Sequence, residues 1–125
     1  NTDPIVAADT MVVYDGQALG KPKDEADAKA MLSMLSGHVH EVKTGLAVVL
    51  QGKLHLHVET TKVYFRPLSV KEIDRYVSTG EPMDKAGAYG IQGKGAVLVE
   101  KIEGSYDNVV GLPLTALYTL VTGDW

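Results

Sequence analysis

Apolar residues recur with two different spacings along the 125-residue chain, and these spacings predict its strands and helices. Residues 5–13 are apolar almost without interruption, which is typical of a buried strand, and the pair Asp15-Gly16 then predicts a turn. Residues 39–50 and 54–66 predict two more strands, and the sequence QGK between them favours a hairpin.

The second strand of this hairpin alternates regularly between apolar and polar side chains. The apolar set should face the core and the polar set should face water, because successive side chains of a strand point to opposite faces. The apolar set is Leu54, Leu56 and Val58, and the polar set is His55, His57 and Glu59.

Two segments have apolar residues at the spacing of an amphipathic helix. The first begins at Asp24, a good N-cap residue, and ends at Gly37, which suits the position just after a helix. The second begins with Ser69 and Glu72, which have the spacing of a capping box, and ends at Gly80. The buried stripe predicted for this second helix is Val70, Ile73, Tyr76 and Val77.

The remaining elements complete a mixed pattern of helices and strands. A strand is expected at about 96–102, followed by a C-terminal helix with Pro113 near its first turn. Because helices and strands are interspersed and at least one strand pair is antiparallel, the pattern predicts an α/β or α+β fold around a mixed sheet. The length suits a single domain over residues 1–125.

Composition and charge narrow the class of protein. Hydrophobic residues make up 45% of the chain and charged residues 22%, and no apolar run approaches the ~20 residues of a membrane span. The formal net charge of −4 argues against binding to a nucleic-acid backbone. The sequence has no cysteine, which excludes disulfide bonds and thiolate chemistry and allows a reducing compartment.

The stretch EPMDKAGAYGIQGKG, residues 81–95, is long for a loop inside a small domain. Met83, Tyr89 and Ile91 can anchor it to a core, which favours an ordered, functional loop over a disordered one. Its glycines would let backbone N–H groups converge on an anion. The loop therefore predicts a ligand site.

Three polar residues of this loop are candidates for ligand contacts. Asp84 and Lys85 are adjacent, so they can place opposite charges side by side. Gln92 carries an amide that can read the edge of a base or a ribose. The loop does not end in the Gly-Lys-Ser/Thr sequence of a Walker phosphate loop.

Two charged residues outside the loop are also candidates. Asp9 lies inside the apolar run, where a carboxylate is costly unless it is paired, hydrogen-bonded or bound to a metal. An acid that accepts backbone N–H bonds at a strand end is an equally good interpretation. Lys21, in the sequence LGKP, could be a point charge for phosphate, although a solvent-exposed loop lysine is the simpler interpretation.

The four histidines form two His-x-His pairs, His38 with His40 and His55 with His57. Each pair would share one face of a strand, so zinc is an option, but the solvent face of a hairpin is the favoured explanation because no cysteine or clustered acid completes a tetrahedral set. The chain also lacks the Gly-x-Ser-x-Gly motif of covalent acyl chemistry. Carboxylates and lysines around glycine loops instead favour metal-assisted attack of water on a phosphoanhydride.

Three segments together resemble the Maf family of nucleoside triphosphate pyrophosphatases. They are AADTMVVYDGQALGKPKD, MLSMLSGHVHEVKTGLAVV and TGEPMDKAGAYGIQGKGAVLVEKIEGSYDNVVGLPL. The resemblance implies an inosine-triphosphatase-like fold, with two lobes around an elongated mixed sheet and a central cleft. It also implies cytoplasmic hydrolysis of a nucleoside triphosphate to the monophosphate and pyrophosphate, with magnesium or manganese. The last segment is similar to the subgroup that acts on dTTP and UTP.

The resemblance gives roles to six residues. Asp9 matches the family's proposed proton acceptor and is the candidate metal ligand. Thr10 and Gln92 match its specificity positions, so the 81–95 loop would hold the base side of the nucleotide. The other three are Lys21 of the phosphate region and the loop pair Asp84 and Lys85.

One feature departs from the family pattern. Family members begin with a motif of the type S-x-S-P-R-R and a following glutamate, and residues 1–8 contain nothing similar. The expectation is therefore the C-terminal major part of a Maf domain, with its site residues converging on one open groove. Apolar surface should be exposed at the start of the 5–13 strand, where a partner or neighbouring chain would cover it, and a homodimer is expected. Self-association and little activity are expected of the 125 residues alone.

Two other functions fit the same residues. One is a non-catalytic nucleotide-binding or interaction module, because the family is also linked to arrest of septum formation in cell division. The other keeps the chemistry and takes another noncanonical nucleotide as substrate. Asp9 and Lys21 favour an enzyme, whereas the absent arginine motif favours a binding module.

Overall fold

The computed structural model describes residues 4–110 and 114–122 as a five-stranded sheet with helices on one face. The strands are β1 (Ile5–Tyr14), β2 (Gln17–Leu19), β3 (Val39–Leu50), β4 (Lys53–Phe65) and β5 (Val99–Glu103). The helices are α1 (Glu25–Leu35), α2 (Val70–Ser78), α3 (Tyr106–Val110) and α4 (Leu114–Thr122), with short 3-10 helices at Glu81–Asp84, Ala86–Ala88 and Gly93–Leu98.

The strands lie in the order β2-β1-β3-β4-β5, and every pairing among them is antiparallel. Two tight turns make the hairpins: Asp15 and Gly16 have φ of 50° and 78°, and Gln51 and Gly52 have φ of 51° and 77°. Such left-handed pairs form type I′ turns, whose twist matches that of the strands. The predicted fold class and both turns are confirmed. The described pairings are antiparallel rather than mixed, because β2 and β3 run in the same direction but are separated by β1, which is antiparallel to both.

Local capping signals set the ends of the two long helices. The Asp24 side chain accepts the N–H of Asp27 at 2.8 Å, and the predicted capping box of Ser69 and Glu72 is present. Val70 was predicted to be buried, but it is 74% exposed. It is the first residue of α2, and helical side chains tilt toward the N-terminus, so its side chain points past the helix end rather than into the core.

The main core lies between the sheet and these helices. Residues of the 81–95 loop belong to it, which confirms the predicted anchors: Tyr89 and Ile91 are buried and Met83 is partly buried against the cluster. The loop is therefore a wall of the core. The buried cluster also contains, among others, Ala28, Leu32 and Leu35 of α1, Ile73, Tyr76 and Val77 of α2, and Val12, Val42, Val63 and Phe65 of the strands.

The prediction for the two faces of β4 is wrong. Directly opposed residues of neighbouring strands share a face, and β3 places its buried Leu46 and Val48 opposite His57 and His55. The histidines are therefore on the helix-covered face. Leu56, by contrast, is 72% exposed. The register with β3, rather than the hydrophobicity of β4, decides which side faces inward.

The exposed side of the sheet is called the outer face. It carries large apolar side chains of β1 and β4: Ile5, Leu54, Leu56 and Val58 are 61–72% exposed. β1 is consequently not the buried strand that its composition predicted, since only Val12 among its residues is buried. The expected exposed apolar surface at the start of this strand is confirmed.

The C-terminal part adds two helices to the covered face. α4 confirms the predicted C-terminal helix and packs against Leu46 and Val48, while Pro113 lies outside the described residues. α3 was not predicted. None of the helices in residues 4–110 and 114–122 is long and apolar enough to cross a bilayer.

Candidate functional site

A cavity of about 230 Å³ opens on the helix-covered face of the sheet, between β1, β3, α3 and the 81–95 loop. This space, the Thr10 cavity, has apolar walls formed by residues such as Val12 and Val42. Its polar lining includes Thr10, Lys85 and Gln92. The structure thus brings three of the six predicted site residues into one cavity.

Thr10 reaches the cavity from the inner face of β1. It is opposite Thr44 of β3, and the two hydroxyl oxygens lie 2.9 Å apart. Thr44 is fully buried, and its hydroxyl donates to the carbonyl oxygen of Asn108 in α3 at 3.5 Å. Because Thr44 donates its hydrogen to Asn108, Thr10 is the donor in the bond between the two hydroxyls. These contacts fix Thr10 at the wall, where its hydroxyl oxygen can accept a hydrogen bond from a ligand.

Lys85, Asp84 and Lys21 gather beside the cavity. The Lys85 ammonium donates to the Asp84 carboxylate at 3.1 Å. This hydrogen bond and the charge of Lys85 hold the pKa of Asp84 below its usual value, and the charge of Lys21 adds to the effect. The two segments are joined by their main chains, because the Gly87 N–H donates to the Gly20 carbonyl at 3.1 Å. Lys21 is therefore a neighbour of the loop pair Asp84 and Lys85.

Asp9 lies apart from this group. It follows the alternation of β1 and pairs with Gly45 on the outer face, whereas Thr10 is on the inner face. It is exposed and borders a separate, mainly apolar depression of about 360 Å³ with Leu56 and Val58. The expectation that Asp9 shares a groove with the other site residues is wrong, because neighbouring strand residues cannot point to the same face.

The 81–95 loop is ordered by contacts within the chain. The N–H groups of Lys94 and Gly95 donate to the Glu81 carboxylate at 3.1 and 2.9 Å. The predicted convergence of N–H groups on an anion is therefore present, but the anion is a side chain of the loop itself. A Cβ on Gly95 would lie 2.0 Å from the carbonyl oxygen of Gly90, so close packing of two main-chain segments requires glycine there.

A buried imidazole holds the floor of the cavity. His40 Nε2 and the hydroxyl of Tyr89, a lining residue, are 2.6 Å apart, and Phe65 packs edge-on against both rings. His40 is 2% exposed, and burial lowers its pKa from 6.5 to about 4. The imidazole is thus neutral at pH 7.

The histidine pairs have roles that the sequence did not indicate. His40 is buried rather than on a solvent face, and His57 pairs with Glu59 at 2.8 Å on the covered face. Within residues 4–110 and 114–122, no group of three or more His, Cys, Asp or Glu side chains could hold a metal ion. Among the described residues, no other His, Cys, Asp or Glu side chains join Asp9 in a group that could hold a metal ion.

α3 is held against the sheet by Asn108, whose side chain is fully buried. Its amide nitrogen donates to the carbonyl oxygens of Val42 and Glu59 at 3.0 and 3.2 Å. It also donates to the Thr61 hydroxyl at 3.0 Å. These bonds place the next two residues, Val109 and Val110, against the cavity.

Sequence reasoning missed four residues that shape the cavity. Only Tyr76 could have been found from the sequence. It belongs to the predicted buried stripe, and a buried tyrosine hydroxyl needs a hydrogen-bond partner. Glu81, five residues further along the chain, could have been proposed as that partner. The four are Tyr76, Glu81, His40 and Asn108.

Comparison with known proteins places the chain in one family. The family model for Maf-like proteins matches residues 1–123. The dTTP/UTP pyrophosphatase of Halalkalibacterium halodurans is 59% identical over 111 residues, which cover 89% of this chain and 58% of the relative. A protein of the same name from Syntrophomonas wolfei is 56% identical over 119 residues, covering 94% of this chain and 63% of the relative.

The chain is an α/β domain with a cavity of about 230 Å³ beside a glycine-rich loop. It belongs to the Maf family, which confirms the resemblance drawn from the motifs. The chain spans about three fifths of the length of the relatives it matches.

Proposed function

We propose that this chain forms the base-binding part of a nucleoside triphosphate pyrophosphatase that acts on dTTP and UTP. The observation that carries the proposal is the Thr10 cavity, in which Thr10, Lys85 and Gln92 meet. Relatives more than half identical to the chain are named dTTP/UTP pyrophosphatases. The reaction would release pyrophosphate and leave the monophosphate.

Each residue of the cavity has a role in this proposal. The Gln92 amide would pair with the polar edge of a pyrimidine, because it can both donate and accept hydrogen bonds, and the Thr10 hydroxyl oxygen would accept one from the same edge. Lys85 and its neighbour Lys21 would balance part of the triphosphate charge. Asp84 would hold the Lys85 ammonium in place through their 3.1 Å hydrogen bond.

The hydrolytic step is assigned to Asp9 as proton acceptor. This role comes from the family resemblance, because the exposed Asp9 carboxylate lies on the outer face and does not border the Thr10 cavity. A magnesium or manganese ion is proposed as a companion of the triphosphate. The part of the chain that the structure describes includes no group of three or more His, Cys, Asp or Glu side chains suited to hold it. A cytoplasmic location is part of the same proposal.

One observation favours a second function. Because Asp9 is separated from the Thr10 cavity by the sheet, the described residues can bind a nucleotide without bringing this carboxylate to it. A non-catalytic nucleotide-binding module is therefore the alternative. Such a module would bind the nucleotide in the same cavity but would not hydrolyse it.

A chimera separates the two functions. In it, this chain replaces the matching 111 residues of the Halalkalibacterium halodurans relative, and pyrophosphate release is measured from dTTP, UTP, CTP, ATP and GTP. The proposal predicts release from dTTP and UTP in preference to the purine nucleotides. Asp9→Asn in the chimera should slow the reaction about 100-fold or more while the protein stays folded. Binding without release would favour the module, and near-normal turnover of Asp9→Asn would remove the role of Asp9.

A further inference from the structure

A carboxylate and a hydroxyl hold together the two ends of the segment that carries Gln92. Glu81 accepts a hydrogen bond from the Tyr76 hydroxyl at 2.5 Å, in addition to those from the Lys94 and Gly95 N–H groups. The same hydroxyl accepts the N–H of Gly90 at 3.1 Å. These four hydrogen bonds form the Glu81 clamp, which ties the loop to helix α2.

Gln92 lies between the clamped residues. Gly90 is fixed on one side of it, and the two residues that donate to Glu81 follow on the other. Gly93, next to Gln92, has a φ of 69°, and a Cβ there would lie 2.6 Å from the Glu81 carboxylate. The chain therefore bends closely around Glu81, and Gln92 lines the Thr10 cavity from this bend.

The charge of Glu81 favours the hydrogen bonds of the clamp. Burial pushes the pKa of Glu81 upward, but the hydrogen bonds from Tyr76 and the two N–H groups outweigh it, and the pKa lies below its usual value. Glu81 is thus charged at pH 7. A charged carboxylate is a stronger acceptor of N–H bonds than a neutral amide is.

We propose that Glu81 and Tyr76 are positioning residues that set nucleotide selectivity by fixing Gln92 at the cavity wall. Glu81 is not itself a lining residue, so it acts through the main chain of the loop. The inference rests on the proposed function for the identity of the ligand. The clamp itself rests on the four hydrogen bonds.

A purely structural role would have a different consequence. The clamp also holds the loop to α2, so its loss should lower the stability of the fold in any case. Lower stability alone would weaken all ligands alike. Misplacement of Gln92 would weaken the pyrimidine ligand selectively, because a site built to hydrogen-bond its ligand discriminates through those bonds.

Two variants test the proposal, Glu81→Gln and Tyr76→Phe, each made in the chimera described above. In both, the amides of Gly90, Lys94 and Gly95 should exchange with solvent faster than in the unmodified chimera, as measured by NMR. Affinity for the α,β-methylene analogue of UTP should fall about tenfold, and affinity for that of GTP less than about threefold. The double variant should lose little more affinity for the UTP analogue than either single variant, because both substitutions break the same Glu81 clamp.

Glu72→Gln is the matched control. It makes the same chemical change at the other end of α2, where Glu72 completes the capping box and pairs with Arg66. It should lower stability and leave the ratio of UTP to GTP affinity unchanged. An unchanged ratio in a folded Glu81→Gln, or an equal change in Glu72→Gln, would overturn the proposal. If Glu81→Gln did not fold, Tyr76→Phe would decide.

Failure of the proposed function would look different. If the unmodified chimera bound neither analogue, nucleotide binding and its selection by Gln92 would both be contradicted. Amide exchange would still show whether the clamp exists. Unchanged exchange in both variants would overturn the clamp whatever the chain binds.

Discussion

At the scale of single residues, the groups that face the Thr10 cavity and the groups that hold them in place are different side chains. Thr10 and Gln92 line the space, whereas Glu81 and His40 lie behind the wall and contact the loop. The lining residues belong to recognisable motifs. The supporting residues act through contacts between distant parts of the chain, which no local pattern specifies.

Gln92→Ala tests the lining directly. If the amide pairs with a pyrimidine edge, its loss leaves that edge unpaired and should cost roughly 1–3 kcal/mol of binding free energy. Calorimetry with the α,β-methylene analogues should show this loss for UTP and a smaller one for GTP. Gln17→Ala, at an exposed position of β2, is the control and should change neither. Equal losses for both analogues would mean that Gln92 does not select the base.

His40 should make the stability of the fold depend on pH. Burial lowers its pKa from 6.5 to about 4, so between these values the unfolded chain takes up a proton that the folded chain does not. The free energy of unfolding should therefore fall as pH is lowered through this window, by about 3 kcal/mol in total. Urea unfolding at several pH values measures the change.

His40→Gln isolates this contribution. Glutamine can still bond the Tyr89 hydroxyl but does not titrate, so the His40 share of the loss between pH 6.5 and 4 should disappear. His38→Gln, at an exposed position two residues earlier, should keep the full pH dependence. If the His40→Gln chain lost stability with pH as steeply as the unmodified chain, the buried imidazole would not be its source.

At the scale of elements, predictions succeeded where the signal is local and failed where it depends on a neighbour. The caps at Asp24 and Ser69 are set by adjacent residues and are confirmed. The alternation in β4 divided its side chains into two sets but did not say which set faces the core. That choice was made by β3, whose Leu46 and Val48 lie opposite the histidines.

The capping box of α2 should contribute measurably to stability. Ser69 accepts the N–H of Glu72 at 3.1 Å, and Glu72 accepts the N–H of Ser69 at 3.2 Å. Ser69→Ala should lower the free energy of unfolding by about 1 kcal/mol, as measured in urea. Ser33→Ala, on the exposed side of α1, should be close to neutral. Equal losses in the free energy of unfolding for the two variants would show that the capping box does not stabilise the fold.

At the scale of the whole molecule, the outer face is an exposed surface rich in large apolar side chains. Large exposed apolar side chains from β1 and β4 lie together there, and such a surface favours association. We propose that two copies of the chain associate through this face. Whether the predicted homodimer forms is open to a direct test.

Leu56→Lys places a charge on the outer face. Sedimentation of the unmodified chain should show association that grows with concentration, and this variant should shift it toward the monomer. Val70→Lys makes a similar change at an exposed apolar position on α2 and should leave association unchanged. A chain that stays monomeric before either substitution would contradict the proposed interface.

If the Thr10 cavity takes the nucleotide, a ligand should change the amide chemical shifts of the residues that line it. The direct measurement is to record these shifts by NMR as the α,β-methylene analogue of UTP is added. We expect saturating shifts at Thr10, at Lys85 and Ala86 and along residues 89–92, which line the cavity, with smaller changes on the outer face around Leu56. Shifts confined to the outer face, or none at millimolar analogue, would contradict it.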